Sequence, residues 1–179
     1  MLGYHGGRAG PAAEFAKALL LGEADVAQWQ PSENEYDWLG QGIYFWEHSP
    51  ERARRWAGPD GIVIGAVIQL GDCLDLTDLR FTSLLEKAHA RLVVSHKEQN
   101  SPMPSNEGQA LKLRKLDCLV INNLVAQSPD RIQTVRGAFE EGEAAFAGAA
   151  LKKETHIQIA VRDLECILGV FRPTFFDEQ

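Results

Sequence analysis

Apolar runs of strand length and helical periodicities follow one another along this chain without the regular strand-helix-strand alternation of a parallel α/β sheet, and this irregular order predicts an α+β fold. Tyr4–His5–Gly6–Gly7 reads as the end of a short opening strand. From Pro11 to Leu21, Ala12, Phe15, Ala16, Leu19 and Leu20 recur at helical spacing behind a proline suited to a first turn, so a helix follows. Gln30 to Gly42 is polar and rich in turn formers, which predicts a loop leading into the aromatic strand Ile43–Tyr44–Phe45–Trp46. Ser49 and Pro50 supply a cap and first turn for a helix through Ala57.

Ile62 to Leu70 is β-branched and bounded by glycines, as a buried strand would be. Leu84–Val94 and Glu107–Leu116 carry mixed charge at helical spacing and predict two helices, while Asn100–Gly108 concentrates turn formers and predicts an exposed loop. Cys118–Ile121 reads as a short apolar strand. His156–Val161 begins with polar-apolar alternation and Cys166–Phe171 supplies a last strand before Pro173.

With 179 residues, of which 45% are hydrophobic, residues 1–179 are expected to form one domain around a single substantial core. The formal charge of −7 argues against a surface that coats DNA or RNA, because non-specific binding needs clustered Lys and Arg. The three cysteines, Cys73, Cys118 and Cys166, are far apart and flanked by aliphatic residues, a pattern of small buried hydrophobes and not of a disulfide framework or metal knuckle. There is no signal-peptide pattern and no apolar stretch of membrane-spanning length, so a cytoplasmic protein without membrane contact is expected.

Two segments carry the chemistry. His5 stands beside Gly6 and Gly7, where a bare backbone can approach a planar ligand; some forty residues on, Leu39–Gly40–Gln41–Gly42–Ile43–Tyr44–Phe45–Trp46–Glu47 frames aromatic side chains with glycines. Together they resemble the ADP-ribosyltransferase superfamily, in its diphtheria-toxin and poly(ADP-ribose) polymerase branch, whose signature runs from His-Gly-Ser/Thr to Gly-x-Gly-Ile-Tyr-Phe. The resemblance implies two antiparallel sheets forming an NAD⁺ cleft flanked by helices. It assigns His5 to the adenosine ribose, the Gly6 backbone to the nicotinamide amide and Tyr44 to stacking on the nicotinamide ring. Gly42, Ile43 and Trp46 are then expected on the donor side, with Trp38 and Glu47 nearby.

The family's third landmark, a carboxylate on a late strand, falls on Gln158 in Gln158–Ile159–Ala160–Val161–Arg162–Asp163. A carboxamide can orient a ribose by hydrogen bonding but carries no charge for a developing oxocarbenium ion, so mono-ADP-ribosylation is expected instead of polymer synthesis. Glu154 and Glu165 are the nearby carboxylates. Gly7 replaces the family's Ser or Thr, which leaves nicotinamide contact to backbone groups, and Arg8 adds a cation suited to a pyrophosphate. His156 shares a strand face with Gln158, at a position where relatives choose the acceptor. Val135 to Thr155 corresponds to the family's target-recognition loop, with Arg136 as its candidate anion contact.

The expected reaction cleaves the nicotinamide–ribose bond of NAD⁺ and passes ADP-ribose to a macromolecular acceptor, protein or nucleic acid, with no metal. By analogy the chain is expected to act as a bacterial toxin with an antitoxin partner. Three rival expectations stand beside it: a non-catalytic NAD- or ADP-ribose-binding module, an RNA 2′-phosphotransferase-like enzyme, which the acidic balance disfavours, and a partner-binding domain that has lost the ligand.

Overall fold

A computed structural model describes residues 1–128 and 131–175. Its seven strands form one mixed, open sheet in the order β4-β5-β6-β2-β1-β3-β7. These are β1 (Leu2–Gly7), β2 (Ile43–Glu47), β3 (Ile62–Ile68), β4 (Cys73–Asp75), β5 (Thr134–Phe139), β6 (His156–Val161) and β7 (Ile167–Phe171). Among the described residues the α-helices are α1 (Pro11–Leu21), α2 (Pro50–Ala57), α3 (Leu79–Glu98) and α4 (Lys115–Gln127). The α+β expectation is met, but the two sheets expected from the resemblance are here one continuous sheet, joined because β2 pairs with both β1 and β6. All neighbours are antiparallel except β4 and β5. Among the described residues no helix is long and apolar enough to cross a membrane.

Apolar side chains cover both faces of the sheet. On one face Phe45, Ile64, Ala66, Ile68 and Ile159 pack under α1 and Trp29, with Ala16 and Leu19 presented by α1 at a three-residue spacing. On the other, Leu39, Leu74, Val135, Phe139 and Ala160 meet Phe81 and Leu85 of α3 and Ile121, Leu124 and Val125 of α4. Fully burying a side chain such as Phe45 or Ile64 stabilises the fold by about 1.5–3 kcal/mol. The short helix α2 lies on this second face over Trp46 and Val63, and its Ala53 and Ala57 face the sheet one turn apart.

Two expected elements fail. In the stretch Glu107–Leu116 only Lys115 and Leu116 are α-helical, as the start of α4; before them Gly108, Ala110 and Leu111 all have positive φ and only a 3₁₀ turn, Gln109–Leu111, forms. Cys118–Ile121 is helical, part of α4, with Cys118 and Ile121 buried at a three-residue spacing. The expected loop from Val135 is also shorter: Thr134–Phe139 is β5, and only 140–155 forms an excursion, closed by Ala145 N–H donating to the Leu151 carbonyl (2.8 Å) and Lys153 N–H to the Glu143 carbonyl (3.0 Å).

Candidate active site

The segments that resemble the ADP-ribosyltransferase motifs form three neighbouring strands, β6, β2 and β1. β1 pairs with β3 along its whole length, from Leu2↔Val67 to Gly7↔Ile62, but with β2 only at Gly3↔Glu47 and Tyr4↔Trp46. Where the chain points its amides follows from strand alternation. His48 N–H donates to the Leu2 carbonyl at 3.0 Å and Ile68 N–H to the Met1 carbonyl at 2.8 Å, so even-numbered residues of β1 face β2 and odd-numbered ones face β3. Gly6 is even-numbered. Its N–H and C=O therefore face β2 after the ladder between these strands has ended. The Tyr44 carbonyl, which a continued ladder would give to Gly6, instead accepts from Nδ1 of His5 at 2.9 Å.

Gly6 also receives α2. A β-carbon at residue 6 would stand 2.4 Å from the Ala53 carbonyl oxygen and 3.2 Å from both Ala57 N and Trp56 Cδ1. The Trp56 indole, about half exposed, thus flanks Gly6, which is itself buried. Arg8 caps it, with its guanidinium carbon 4.1 Å from the ring centroid and Nε donating to the Trp56 carbonyl at 3.3 Å. Gly7 turns to the other face, packed against the Ala12 carbonyl of α1.

The imidazole of His5 and the phenol of Tyr44 do not share a crevice. The His5 ring lies edge-on to Trp29 (centroids 4.9 Å) and near Phe45 (5.9 Å), in the cluster under α1. The Tyr44 ring joins the cluster under α4, and its hydroxyl donates to the Gly40 carbonyl at 2.6 Å and accepts from Leu39 N–H at 2.8 Å. Burial raises the Tyr44 pKa well above its ordinary value. This phenol closes the turn before β2, helped by Gly42, whose φ of 154° and proximity to the Val161 carbonyl suit only glycine. Ile43 is core.

Gln158 faces Trp46 across β2–β6 and Gly137 across β5–β6. Both Gln158 and Trp46 are buried, and the Trp46 Nε1–H has no hydrogen-bond partner among the described residues. His156, two residues earlier on the same face, is buried between Phe139 (5.9 Å) and Trp38, stacked at 6.2 Å. Next to it Arg52 of α2 is held by Glu141 and by Glu154 (2.7 Å), and Lys112 reaches Glu141 at 2.9 Å. A hollow of about 150 Å³ opens here between α2 and the start of β6, lined by Ser49, Arg52, Arg55, Lys153, Thr155 and His156.

Arg136 lies elsewhere. It is tied to Glu47 and Asp75 on the face under α1, so the recognition contact expected of it is corrected to a structural ion-pair role. Glu154 is engaged by Arg52, and Glu165 sits in the 3₁₀ turn Leu164–Cys166. Arg52 and Trp56 escape a sequence reading. The one available signal was a lone tryptophan on a short helix otherwise full of arginine, since a tryptophan left exposed among polar residues marks a contact surface.

Burial lowers the proton affinity of both His5 and His156, against the opposing effect of their hydrogen bonds to backbone carbonyls. Each imidazole is thus neutral in the fold and charges more readily in the unfolded chain. Stability is complete above the ordinary imidazole pKa and is lost as pH falls through it. Thermal melts should therefore show Tm declining from pH of about 7.5 to about 5.5, with a shallower slope in His5→Gln and His156→Gln. A wild-type slope unchanged in both variants would contradict this.

No protein-family model, curated protein or solved structure matches this chain.

Proposed function

We propose that the chain binds NAD⁺ at the gap between β1 and β2 and transfers its ADP-ribose to a macromolecular acceptor. The observation that carries this reading is the pair of amide groups at Gly6, which strand alternation aims at β2 beyond the end of the ladder. A primary carboxamide is planar and offers one acceptor and one donor side by side, so nicotinamide can replace the missing strand with two antiparallel hydrogen bonds. Trp56, beside Gly6, is suited to stack on the pyridinium ring by cation–π attraction, the role that the motif alone gives to Tyr44. Arg8 above Trp56 is suited to the pyrophosphate.

Gln158 and Trp46 supply an acceptor and an unsatisfied donor on adjacent strands, which fits ribose hydroxyls. In the reaction the C–N glycosidic bond breaks, nicotinamide leaves with the electron pair, and a nucleophile of the acceptor forms the new bond to the anomeric carbon while losing its proton to solvent or a base. A neutral carboxamide at 158 gives the oxocarbenium-like state less electrostatic help than a carboxylate, which favours a single transfer over chain growth. The hollow beside His156, two residues from Gln158 on the same strand, is suited to the acceptor.

A second reading, NAD⁺ binding without turnover, is favoured by one feature: Glu141 and Glu154, the carboxylates beside His156, are both engaged by Arg52. The test is incubation with labelled NAD⁺ and cell lysate, followed by nuclease or protease treatment, alongside thermal shift with NAD⁺ alone. Transfer predicts a label lost to one of the two treatments, and Trp56→Ala should weaken NAD⁺ binding by about tenfold, as loss of one aromatic face costs on the order of 1–2 kcal/mol. A thermal shift with no label or released nicotinamide would favour the binding module, and no thermal shift at all would sink both readings.

A further inference from the structure

His156 Nδ1 lies 2.7 Å from the Glu154 carbonyl oxygen, which can only accept, so Nδ1 carries the ring proton. In a neutral imidazole Nε2 is then a bare acceptor. The side-chain nitrogen of Gln158 lies 2.9 Å from that Nε2, and NH₂ is the only part of a carboxamide that can donate to it. Reversing the amide would set two acceptors against each other, or would move the proton to Nε2 and leave Nδ1 facing the Glu154 carbonyl. The direction of every group in this relay is therefore determined by the Glu154 carbonyl.

We propose that His156 is a positioning residue whose bare Nε2 holds the Gln158 NH₂, turning the carboxamide oxygen toward the ribose as a glutamate oxygen would be. This role rests on the NAD⁺ reading of the β1–β2 gap. Ribose hydroxyls are donors when they meet a carboxamide oxygen, and Oε1 of Gln158 has no donor of its own among the described residues, so it is free for them. An amide turned the other way would present NH₂ and repel a developing positive charge on the ribose.

The groups facing His156 decide when this arrangement holds. Glu141, 3.9 Å from Nδ1, and Glu154 favour the imidazolium, while Arg52 disfavours it. Trp38 and Phe139 enclose the ring, and Arg114 lies over both at 4.1 and 4.7 Å. Burial prevails and keeps the ring neutral. An imidazolium would donate from Nε2 and force the amide to turn over, so kcat should fall with acid at pH values where the protein is still folded.

The experiment has two arms on the full chain. The first reads the imidazole nitrogens by ¹⁵N NMR without any NAD⁺: Nδ1–H with a hydrogen bond from the Gln158 NH₂ to Nε2 supports the proposal, and an Nε2–H tautomer overturns it. In the second, His156→Leu and His156→Gln are each measured in the wild-type background and in a Gln158→Glu background. A carboxylate accepts from either oxygen, so neither has to be selected, and beside Nε2 it is accommodated once the imidazole takes a second proton. His156→Leu should thus lower kcat about tenfold with KM little changed in the wild-type background, yet less than about twofold in the Gln158→Glu background, while His156→Gln, which retains an acceptor, recovers most of the loss. Equal losses in both backgrounds would overturn it. If the His156→Leu protein fails to fold, His156→Gln in the two backgrounds and the pH profile of kcat carry the same comparison. Absence of any NAD⁺ turnover would count against the transferase reading, while the tautomer spectrum still judges the orientation by itself.

Discussion

Gly6→Ala is expected to abolish NAD⁺ binding and labelling while leaving every hydrogen-bonding group in the chain intact. The added methyl would stand 2.4 Å from the Ala53 carbonyl oxygen and 3.2 Å from Ala57 N, and both are backbone atoms of a helix that cannot rotate away as a side-chain tip could. So α2 must retreat, carrying Trp56 away from the gap and uncovering Trp46. Overpacking of this kind costs about 1–3 kcal/mol in stability, and a displacement near 1 Å at a reacting centre costs on the order of a hundredfold in rate. The same substitution at Gly169 meets no atom within 4 Å, so Gly169→Ala is the matched control and should keep both Tm and labelling. Thermal melts with and without NAD⁺, and lysate labelling, distinguish the outcomes. A Gly6→Ala protein that still binds NAD⁺ as the wild type does would remove the β1–β2 gap from the site.

Much of the frame is legible in the sequence because local and tertiary signals agree there. Pro11 and Gly22 bracket α1, whose buried Ala13, Ala16 and Leu19 follow the helical period. β2, α2, β3 and β6 announce themselves by an aromatic run, a proline after serine, a β-branched run and an alternating run. The errors have specific causes. Cys118–Ile121 is a four-residue apolar run, too short for periodicity to separate strand from helix, and the asparagines after it look like a turn. In the fold Asn122 instead holds its position in α4 through its side chain, accepting from Gln41 N–H at 2.9 Å and from Arg162 at 3.1 Å.

β4 and β5 were hidden for a different reason. Cys73–Asp75 is only three residues long, and Thr134–Phe139 contains Arg136 and Gly137, which read as loop. Gly137 is small because Leu39 Cδ2 would stand 3.0 Å from a β-carbon there. Nothing local to residue 137 records that.

The candidate site divides along the same line. That His156 and Gln158 share a face follows from strand alternation alone. That the Glu154 carbonyl selects a tautomer, that Arg52 finds carboxylates 89 and 102 residues away, and that α2 lies across Gly6 are facts of packing, which motif spacing does not contain. The motif placed His5 with Tyr44 because a family signature names residues without their surroundings, whereas the two rings point to different clusters under α1 and α4.

Arg136→Met is expected to be the most destabilising single change on the charged side of the fold. The guanidinium crosses β6 to reach β2: Nε and Nη2 donate to the two oxygens of Glu47 at 2.6 and 3.1 Å, while Nη1 donates to Asp75 on β4 at 2.9 Å and to Thr77 at 3.0 Å. One residue thus ties three strands. Its side chain is 15% exposed and that of Glu47 12%, so screening by water is weak. Losing the cation leaves the nearly buried Glu47 and the partly exposed Asp75 with no counter-charge, which costs about 3 kcal/mol and roughly 10 °C in Tm for a chain of this size. Arg136→Lys keeps the charge but not the fork and should fall between. Adding Glu47→Gln to Arg136→Met should restore part of the loss, because the cost comes from the stranded carboxylate more than from the broken contact. Below their melting points these variants should label acceptor as well as wild type per folded molecule. An Arg136→Met protein with wild-type Tm and no labelling would reverse the assignment and return this arginine to the acceptor contact that its sequence position suggests.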